Sequence, residues 1–124
     1  MPTWTSDELA KIAAAEELQI ASLRRDDTLR KPVTIWVVRR SNDLYVRSVN
    51  GPESDWFRGT RVRHEGHIRA GGVDKDVLFV DADHDVNDQV DAAYRSKYSH
   101  YAAQIIDAIT SPRAAATTMQ LVPR

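Results

Sequence analysis

The stretch from Val33 to Val49 reads VTIWVVRRSNDLYVRSV and predicts a β-hairpin. Its first half, residues 33–38, is rich in β-branched residues and apolar on both faces, which is typical of a central strand. Ser41-Asn42-Asp43 has the composition of a tight turn, and residues 44–49 return as the partner strand. The sequence therefore predicts antiparallel β-structure in this part of the chain.

Helical and extended patterns alternate on both sides of this hairpin. A double glycine at 71–72 joins two strand-like segments into a second predicted hairpin, since glycine permits positive φ. The predicted helices are 6–15, a short one at 55–62, 83–98, and a further helical piece up to Ser111-Pro112; the other predicted strands lie near 17–23, 66–70, 76–80 and 117–122. This order indicates an α+β domain or a small barrel with added helices.

Composition limits the possible classes of protein. With 124 residues, 42% of them hydrophobic, the chain is expected to form one domain over residues 1–124. Its 17 basic and 18 acidic residues give a net charge of −1, so we expect no nucleic-acid partner. The absence of cysteine excludes disulfides and thiolate chemistry. No apolar run approaches the ~20 residues of a membrane span, and the N-terminus lacks a signal-peptide pattern, so a soluble, cytoplasmic protein is expected.

Charged residues are unevenly placed along the chain. Between Arg39 and Arg69 there are seven arginines and four acidic residues, whereas residues 74–91 contain seven aspartates and one lysine. Arginine binds phosphate or carboxylate in a bidentate manner and stacks on aromatic rings. The candidates for binding a phosphorylated, planar ligand are therefore Arg47, Trp56, Arg58 and Arg61, which flank one loop. The alternative is a solvated surface whose basic and acidic parts pair with each other.

Familiar catalytic and metal-binding motifs are incomplete. Residues 81–87 resemble a calcium loop, but Val86 and Ala92 stand where an EF-hand has glycine and glutamate. His64 and His67 form the only close histidine pair, and neither cysteine nor an HExxH motif accompanies it, so we predict no metal site. The sequence also lacks a nucleophile elbow and a P-loop. The catalytic residues, if the protein is an enzyme, stay unknown at this point.

Four segments carry a resemblance to a known family: LYVRSVNG at 44–51, DWFR at 55–58, GHIRAGG at 66–72 and DAAYRSKY at 91–98. Over nearly the whole chain the sequence resembles a bacterial family called domain of unknown function 2255. More distantly it resembles split β-barrel proteins related to pyridoxamine-phosphate oxidase and the deazaflavin-dependent nitroreductases. That resemblance implies a six-stranded, mostly antiparallel split β-barrel with flanking helices. It also implies a homodimer that binds flavin mononucleotide (FMN) or a deazaflavin coenzyme at the subunit interface.

The resemblance also implies a cofactor site. In those relatives, basic and hydroxyl side chains from the central strands and the preceding loop hold the cofactor phosphate. Transferred by position, the implied cofactor-binding residues are Arg30, Lys31, Thr34, Arg47, Ser48, Trp56 and Arg58. The chain departs from the deazaflavin reductases in one loop, because residues 25–29 read RDDTL where those enzymes carry Gly-Arg-x-Ser-Gly. Asp26 and Asp27 are expected to repel a phosphate there.

Three hypotheses about function follow. The first is a flavin- or deazaflavin-dependent oxidoreductase acting on a small molecule, in which the cofactor carries the chemistry and no acid or base is required. The second is a non-catalytic protein that binds an anionic metabolite on the same barrel, with no redox cofactor, and the RDDTL loop favours it. The third is a dimeric partner in a larger assembly, which an exposed apolar patch would support.

Overall fold

The structure is a computed structural model, and it describes residues 3–124. Its seven strands are β1 (Leu18–Ser22), β2 (Val33–Ile35), β3 (Val37–Arg40), β4 (Asp43–Val46), β5 (Glu65–Ala70), β6 (Val73–Asp81) and β7 (Met119–Pro123). Its α-helices are α1 (Ser6–Ala14), α2 (Asp55–Arg63), α3 (Asn87–Lys97), α4 (Ala103–Ile109) and α5 (Pro112–Ala115). Short 3-10 turns lie at Gly51–Glu53 and His84–Val86. None of the helices between residues 3 and 124 is both long and apolar enough to cross a lipid bilayer.

The strands form one antiparallel sheet in the order β2-β1-β5-β6-β7-β4-β3, which curls into a nearly closed barrel. The α+β barrel with flanking helices is thus confirmed, but it has seven strands rather than the expected six. The difference lies at Trp36, a single residue that separates β2 from β3. These two strands are the edges of the sheet, so the prediction of one central strand over 33–38 is wrong. A strand that passes from one edge of a barrel to the other must bend. In this chain the bend lies at Trp36, where the hydrogen bonding between strands is interrupted.

The barrel interior is filled by side chains that alternate along the strands. Val33, Ile35 and Val37 all contact the interior cluster, so the alternation continues through the break at Trp36. Cross-strand neighbours such as Ile20 and Ile68 meet in the same cluster. Each fully buried aliphatic side chain of this kind contributes about 1.5–3 kcal/mol. Packing in the interior therefore determines which side chains of the two edge strands, β2 and β3, face inward.

A second apolar cluster lies outside the barrel. Val38 and Tyr45 lie opposite each other on β3 and β4 and face away from the interior. Helices α3 and α4 cover them with side chains at helical spacing, namely Val90, Tyr94, Tyr98, Ile106 and Ile109. This packing is what makes the hairpin of β3 and β4 apolar on both faces.

Local signals in the sequence mark most element boundaries. Helix α1 begins with a capping box between Thr5 and Glu8, so the predicted helix over 6–15 is confirmed. Both hairpins are confirmed, with Gly71 and Gly72 at positive φ in the second. The predicted helix over 83–98 is α3, which begins only at Asn87 because the preceding residues form a 3-10 turn.

Candidate functional site

Two adjoining cavities lie between strand β2 and the first turn of helix α2, and both are lined by Val33 and Trp56. One has a volume of about 180 Å³, below the range of small-molecule sites, and the other about 300 Å³, at the lower end of that range. The smaller, here called the basic chamber, is lined by Ile20, Ser22, Arg30, Lys31, Val33, Asp55, Trp56 and Thr60. The larger, here called the apolar chamber, is lined by Val33, Thr34, Ile35, Trp36, Arg47, Val49, Asn50, Trp56, Ile105 and Ile109.

Trp56 stands between the two chambers. It is the second residue of α2, it is half-buried, and its ring meets that of Phe57 edge-to-face with centroids 6.2 Å apart. Phe57 is part of the interior cluster, so the barrel core anchors this helix turn. Trp56 thus presents a ring of fixed position to both chambers.

Two cations of the basic chamber lack an acidic partner. Among residues 3–124, no carboxylate lies within 4.0 Å of the charged groups of Arg30 or Lys31. The Nε atom of Arg30 is buried and makes no hydrogen bond within the described chain. Asp55 also lines this chamber, but its carboxylate accepts a hydrogen bond from Arg58 at 2.6 Å. The chamber therefore keeps an excess of unpaired positive charge.

Gly59 makes room for the Arg30 side chain. A Cβ atom at this position of α2 would lie 2.7 Å from Ser22 Oγ, closer than real Cβ atoms come to a neighbour, and 3.0 Å from Arg30 Nε, which is tighter than most such contacts. Glycine inside a helix costs roughly 1 kcal/mol relative to alanine. Sequence analysis did not identify Gly59 or Ser22 as site residues, although a glycine within the predicted helix was a signal that could have drawn attention to this contact.

The loop that precedes β2 directs its two aspartates away from both chambers. Asp26 accepts hydrogen bonds from the backbone N–H and the hydroxyl of Thr28, at 3.1 and 2.6 Å. These hydrogen bonds lower the pKa of the Asp26 carboxyl. Asp27 pairs with Arg63 of α2. Neither aspartate lines a chamber, and the expected repulsion of a phosphate stays a prediction.

The apolar chamber offers walls but no acid or base. Trp36, Ile35 and Ile109 form part of its lining, while Val49 and Ile105 keep 46% and 43% of their surface exposed at its rim. Apart from Arg47, every side chain that lines it is uncharged, and histidine, tyrosine and carboxylates are absent from the lining within residues 3–124. The chamber can hold and orient a ring, and its own side chains cannot exchange protons near neutral pH.

Arg47 reaches the apolar chamber from the end of β4, but its guanidinium is fully buried and fully hydrogen-bonded. Nε donates to Thr118 Oγ1 at 2.8 Å, and the terminal nitrogens donate to Asp91, to the carbonyl of Ile109, and to both oxygens of Asn87. These contacts use all five N–H donors of the side chain. Arg47, which directly follows β4, therefore ties this part of the chain to α3, to the end of α4 and to Thr118, the residue before β7.

The other predicted site residues divide into two groups. Arg30, Lys31, Thr34 and Trp56 line the chambers, and the Thr34 hydroxyl also accepts a hydrogen bond from Gln19 at 2.7 Å. Ser48 is buried and bonds to the Gly51 carbonyl and the Ser54 hydroxyl, while Arg58 lies exposed beside Asp55. The assignment of Arg47, Ser48 and Arg58 as phosphate ligands stays a prediction, and the structure gives each of them an intramolecular partner.

The family model described as "Uncharacterized protein conserved in bacteria (DUF2255)" matches residues 8–121. The chain belongs to this family. No curated protein has a significant sequence match to this DUF2255 protein.

Solved structures extend the comparison at the level of the fold. A conserved hypothetical protein from Mycobacterium tuberculosis superposes with a TM-score of 0.63 at 12% identity, covering 99% of this chain and 82% of that one. A structure described as an F420 reductase gives 0.61 at 11%, covering 93% and 91%. The haem storage protein HutZ from Vibrio cholerae gives 0.63 at 16%, covering 100% and 92%. A protein described as FAD-binding from Mesorhizobium loti gives 0.55 at 15%, covering 98% and 91%. The resemblance to split-barrel flavin and deazaflavin proteins is thus confirmed for the fold of this DUF2255 member.

Proposed function

We propose that the two chambers together bind one planar, anionic ligand of the FMN or deazaflavin class, and that the protein is an oxidoreductase acting on a small molecule. The observation that carries this proposal is the buried, unpartnered Nε of Arg30 beside an apolar chamber walled by two tryptophans. Similar solved structures described as an F420 reductase and an FAD-binding protein support the cofactor class.

The basic chamber suits a phosphate or carboxylate. A buried N–H without an acceptor costs about 1–3 kcal/mol, and an oxyanion beside Arg30 would remove that cost. Lys31 adds a second positive charge, and the hydroxyls of Ser22 at the end of β1 and of Thr34 on β2 are available as further donors. Arginine is well suited to this task because its planar group binds such oxyanions through two parallel hydrogen bonds.

The apolar chamber suits a flat ring. Trp56 would cover one part of the ring, while Ile35 and Ile109 exclude water from another. When bound, such a cofactor supplies hydride transfer, and the protein contributes binding, orientation and electrostatics. This division of roles agrees with a lining that carries no acid or base.

The open rim of the apolar chamber supports a homodimer. Val49 and Ile105 are among the most exposed large apolar side chains of the described chain, and they border the same opening. We propose that a second copy covers this rim and completes the site. A cytoplasmic location belongs to the same proposal, and the cysteine-free composition supports it.

A non-catalytic binding protein for an anionic metabolite is the second candidate. The lack of any acid, base or nucleophile in the chamber linings favours it, because such a protein needs only charge and shape. Haem is a poorer fit to this site. No histidine, cysteine, methionine or tyrosine of the described residues lines either chamber, so this chain offers haem iron no axial ligand there.

The test is a titration of the purified protein with FMN and, separately, with deazaflavin coenzyme, followed by absorption and fluorescence. The variants are Arg30→Met and Arg58→Met, which remove the same charge from a chamber wall and from an exposed helix face. We expect Arg30→Met to weaken binding by roughly 10- to 100-fold, as loss of a hydrogen bond to a charged group predicts, and Arg58→Met to bind normally. Gly59→Ala should also weaken binding, since the added methyl displaces Arg30.

The outcomes separate the candidates. A retained chromophore that is reduced by a nicotinamide coenzyme and reoxidised by a small-molecule acceptor supports the oxidoreductase. A colourless protein that still binds phosphorylated metabolites through Arg30 supports the binding protein and overturns the redox proposal. Equal losses in Arg30→Met and Arg58→Met would place the anion on α2 and refute the basic chamber as its site.

A further inference from the structure

A group of contacting aromatic rings, one pair stacked and the third ring tilted against it, runs from the apolar chamber to the protein surface. Trp36, which lines the chamber, lies parallel to Tyr98 with ring centroids 3.9 Å apart and an interplanar angle of 4°. Tyr101 meets the same indole at 4.8 Å and is 6.0 Å from Tyr98. Aromatic pairs in proteins usually have centroids about 4.5–7 Å apart, so the first contact is unusually close. The three rings are in van der Waals contact through Trp36.

The outer end of this group of rings has a proton acceptor. The Tyr101 hydroxyl donates a hydrogen bond to Glu16 Oε1 at 2.8 Å, and His100 Nε2 lies 3.0 Å from the same oxygen. The hydrogen bond from Tyr101 lowers the pKa of the Glu16 carboxyl, and the carboxylate in turn raises the pKa of Tyr101. A carboxylate at this distance can accept the phenolic proton directly.

The neighbouring tyrosines lack such an acceptor. The Tyr98 hydroxyl donates to the backbone carbonyl of Glu16 at 2.7 Å, and a carbonyl does not take up a proton near neutral pH. Tyr94 stacks on Tyr98 at 6.2 Å, but its hydroxyl is buried and makes no hydrogen bond within the described chain. Of these three tyrosines, Tyr101 alone combines contact with Trp36 and a route for its proton.

We propose that Trp36, Tyr98 and Tyr101 form an oxidation path that carries one-electron oxidising equivalents from the apolar chamber to the surface. A one-electron oxidant in the chamber, such as an oxidised or photoexcited aromatic ring, removes one electron from the Trp36 indole. Tyr101 then returns one electron to Trp36, either directly or through Tyr98, and its phenolic proton passes to Glu16. The net change is an oxidant reduced by one electron and a neutral Tyr101 radical beside protonated Glu16.

This path goes beyond the proposed cofactor and does not depend on it. Any one-electron oxidant that reaches Trp36 would be reduced in the chamber, and its oxidising equivalent would move to Tyr101, which is half-buried beside the exposed His100. The path would protect the buried core from oxidation when a reactive species forms in the chamber.

The experiment is pulse radiolysis with azide radicals, which oxidise tryptophan, followed by the absorption of the tryptophanyl and tyrosyl radicals. All variants carry Trp56→Phe, which removes the other half-buried tryptophan. Trp36 is then the tryptophan most accessible to the radical, because Trp4 is buried. We expect the tryptophanyl signal to decay into a tyrosyl signal at a rate independent of protein concentration. Trp36→Phe and Tyr101→Phe should each remove this phase, and Tyr94→Phe should leave it unchanged. Circular dichroism checks that each variant is folded.

Glu16→Gln tests the proton step without disturbing the rings. Loss of a positioned base predicts a rate lower by about 100-fold. The groups that face Glu16 are Tyr101, His100, Lys97 and the adjacent Glu17. The rate should fall as the pH drops through the lowered pKa of Glu16, and this pH dependence should vanish in Glu16→Gln. An unchanged rate in Tyr101→Phe, or a loss as large in Tyr94→Phe, would overturn the path; failure to bind a flavin would not.

Discussion

Arg47 should be worth more to folding than any other arginine that the sequence suggests for ligand binding. Its side chain has no exposed surface, and Arg47→Met would keep the aliphatic stem while removing the charge and five N–H donors. The change would leave the Asp91 carboxylate, the Thr118 hydroxyl and the backbone carbonyls of Asn87 and Ile109 without their donor. Helices α3 and α4 would lose their common contact with the segments that follow β4 and precede β7.

The size of the loss follows from this geometry. Removal of one partner from a buried ion pair typically costs about 3–5 kcal/mol. The Asp91 side chain is 26% exposed, so water can compensate part of its lost partner, and we expect about 3 kcal/mol. A small domain has a total stability of roughly 5–15 kcal/mol. At about 4 °C per kcal/mol, the melting temperature should fall by about 12 °C.

Urea unfolding followed by circular dichroism measures this loss, and Arg58→Met is the matched control. The Arg58 and Asp55 side chains are 66% and 96% exposed, so their ion pair should contribute less than about 0.5 kcal/mol. The double variant Arg47→Met/Asp91→Leu should recover part of the loss, because it leaves no unpaired charge. If Arg47→Met unfolds within 0.5 kcal/mol of the wild type, roughly the scatter of a surface substitution, the structural role assigned to Arg47 is refuted.

Two further perturbations test the sheet and its hairpins. Burial opposes the charge on His67, but hydrogen bonds and negative charge from Asp76 and Asp74 outweigh it and raise the pKa of His67 in the folded protein. Its contribution to stability is therefore complete below the unfolded pKa of about 6.5 and is lost as the pH rises through the folded pKa. Urea unfolding at several pH values should show the stability advantage of the wild type over His67→Gln shrinking with rising pH, and a constant difference would contradict this account. Gly71→Ala should lower the melting temperature more than Gly72→Ala: both glycines have positive φ, but only at Gly71 would a Cβ collide with a backbone carbonyl of α1. Equal melting temperatures would show that the contact with α1 contributes nothing.

The parts of the fold that sequence analysis predicted depend on short-range signals. The capping box at Thr5, the turn at 41–42 and the double glycine each act within a few residues, and each lies where it was expected. Residues 33–38 were also described correctly from the sequence as a segment that is apolar on both faces. Its cause is long-range, because one face meets the barrel interior and the other meets α3 and α4.

What sequence analysis missed depends on contacts between distant residues. Arg47 resembles a ligand-binding arginine in the sequence, and only the positions of Asp91 and Thr118, 44 and 71 residues away, give its guanidinium other partners. The partners of Asp26 and Asp27 were also not visible in the sequence, since one bonds within its own turn and the other pairs with Arg63 of α2. Sequence spacing reveals which residues carry charge, and it does not reveal which charges are already paired.

The single-residue link at Trp36 also restricts how this chain can change its length. Side chains alternate between interior and exterior without interruption from β2 into β3. Insertion or deletion of one residue here would reverse which side chains of one edge strand face the barrel interior. Thr34 or Trp36 would then point into the interior, and an apolar neighbour would point outward. Insertions should therefore be tolerated in the exposed residues 24–28, before the chamber residues Arg30 and Lys31, and selected against in the segment 33–40. For this barrel, the break in the pairing of strands at Trp36 is therefore a place where the number of residues is fixed by packing on both faces.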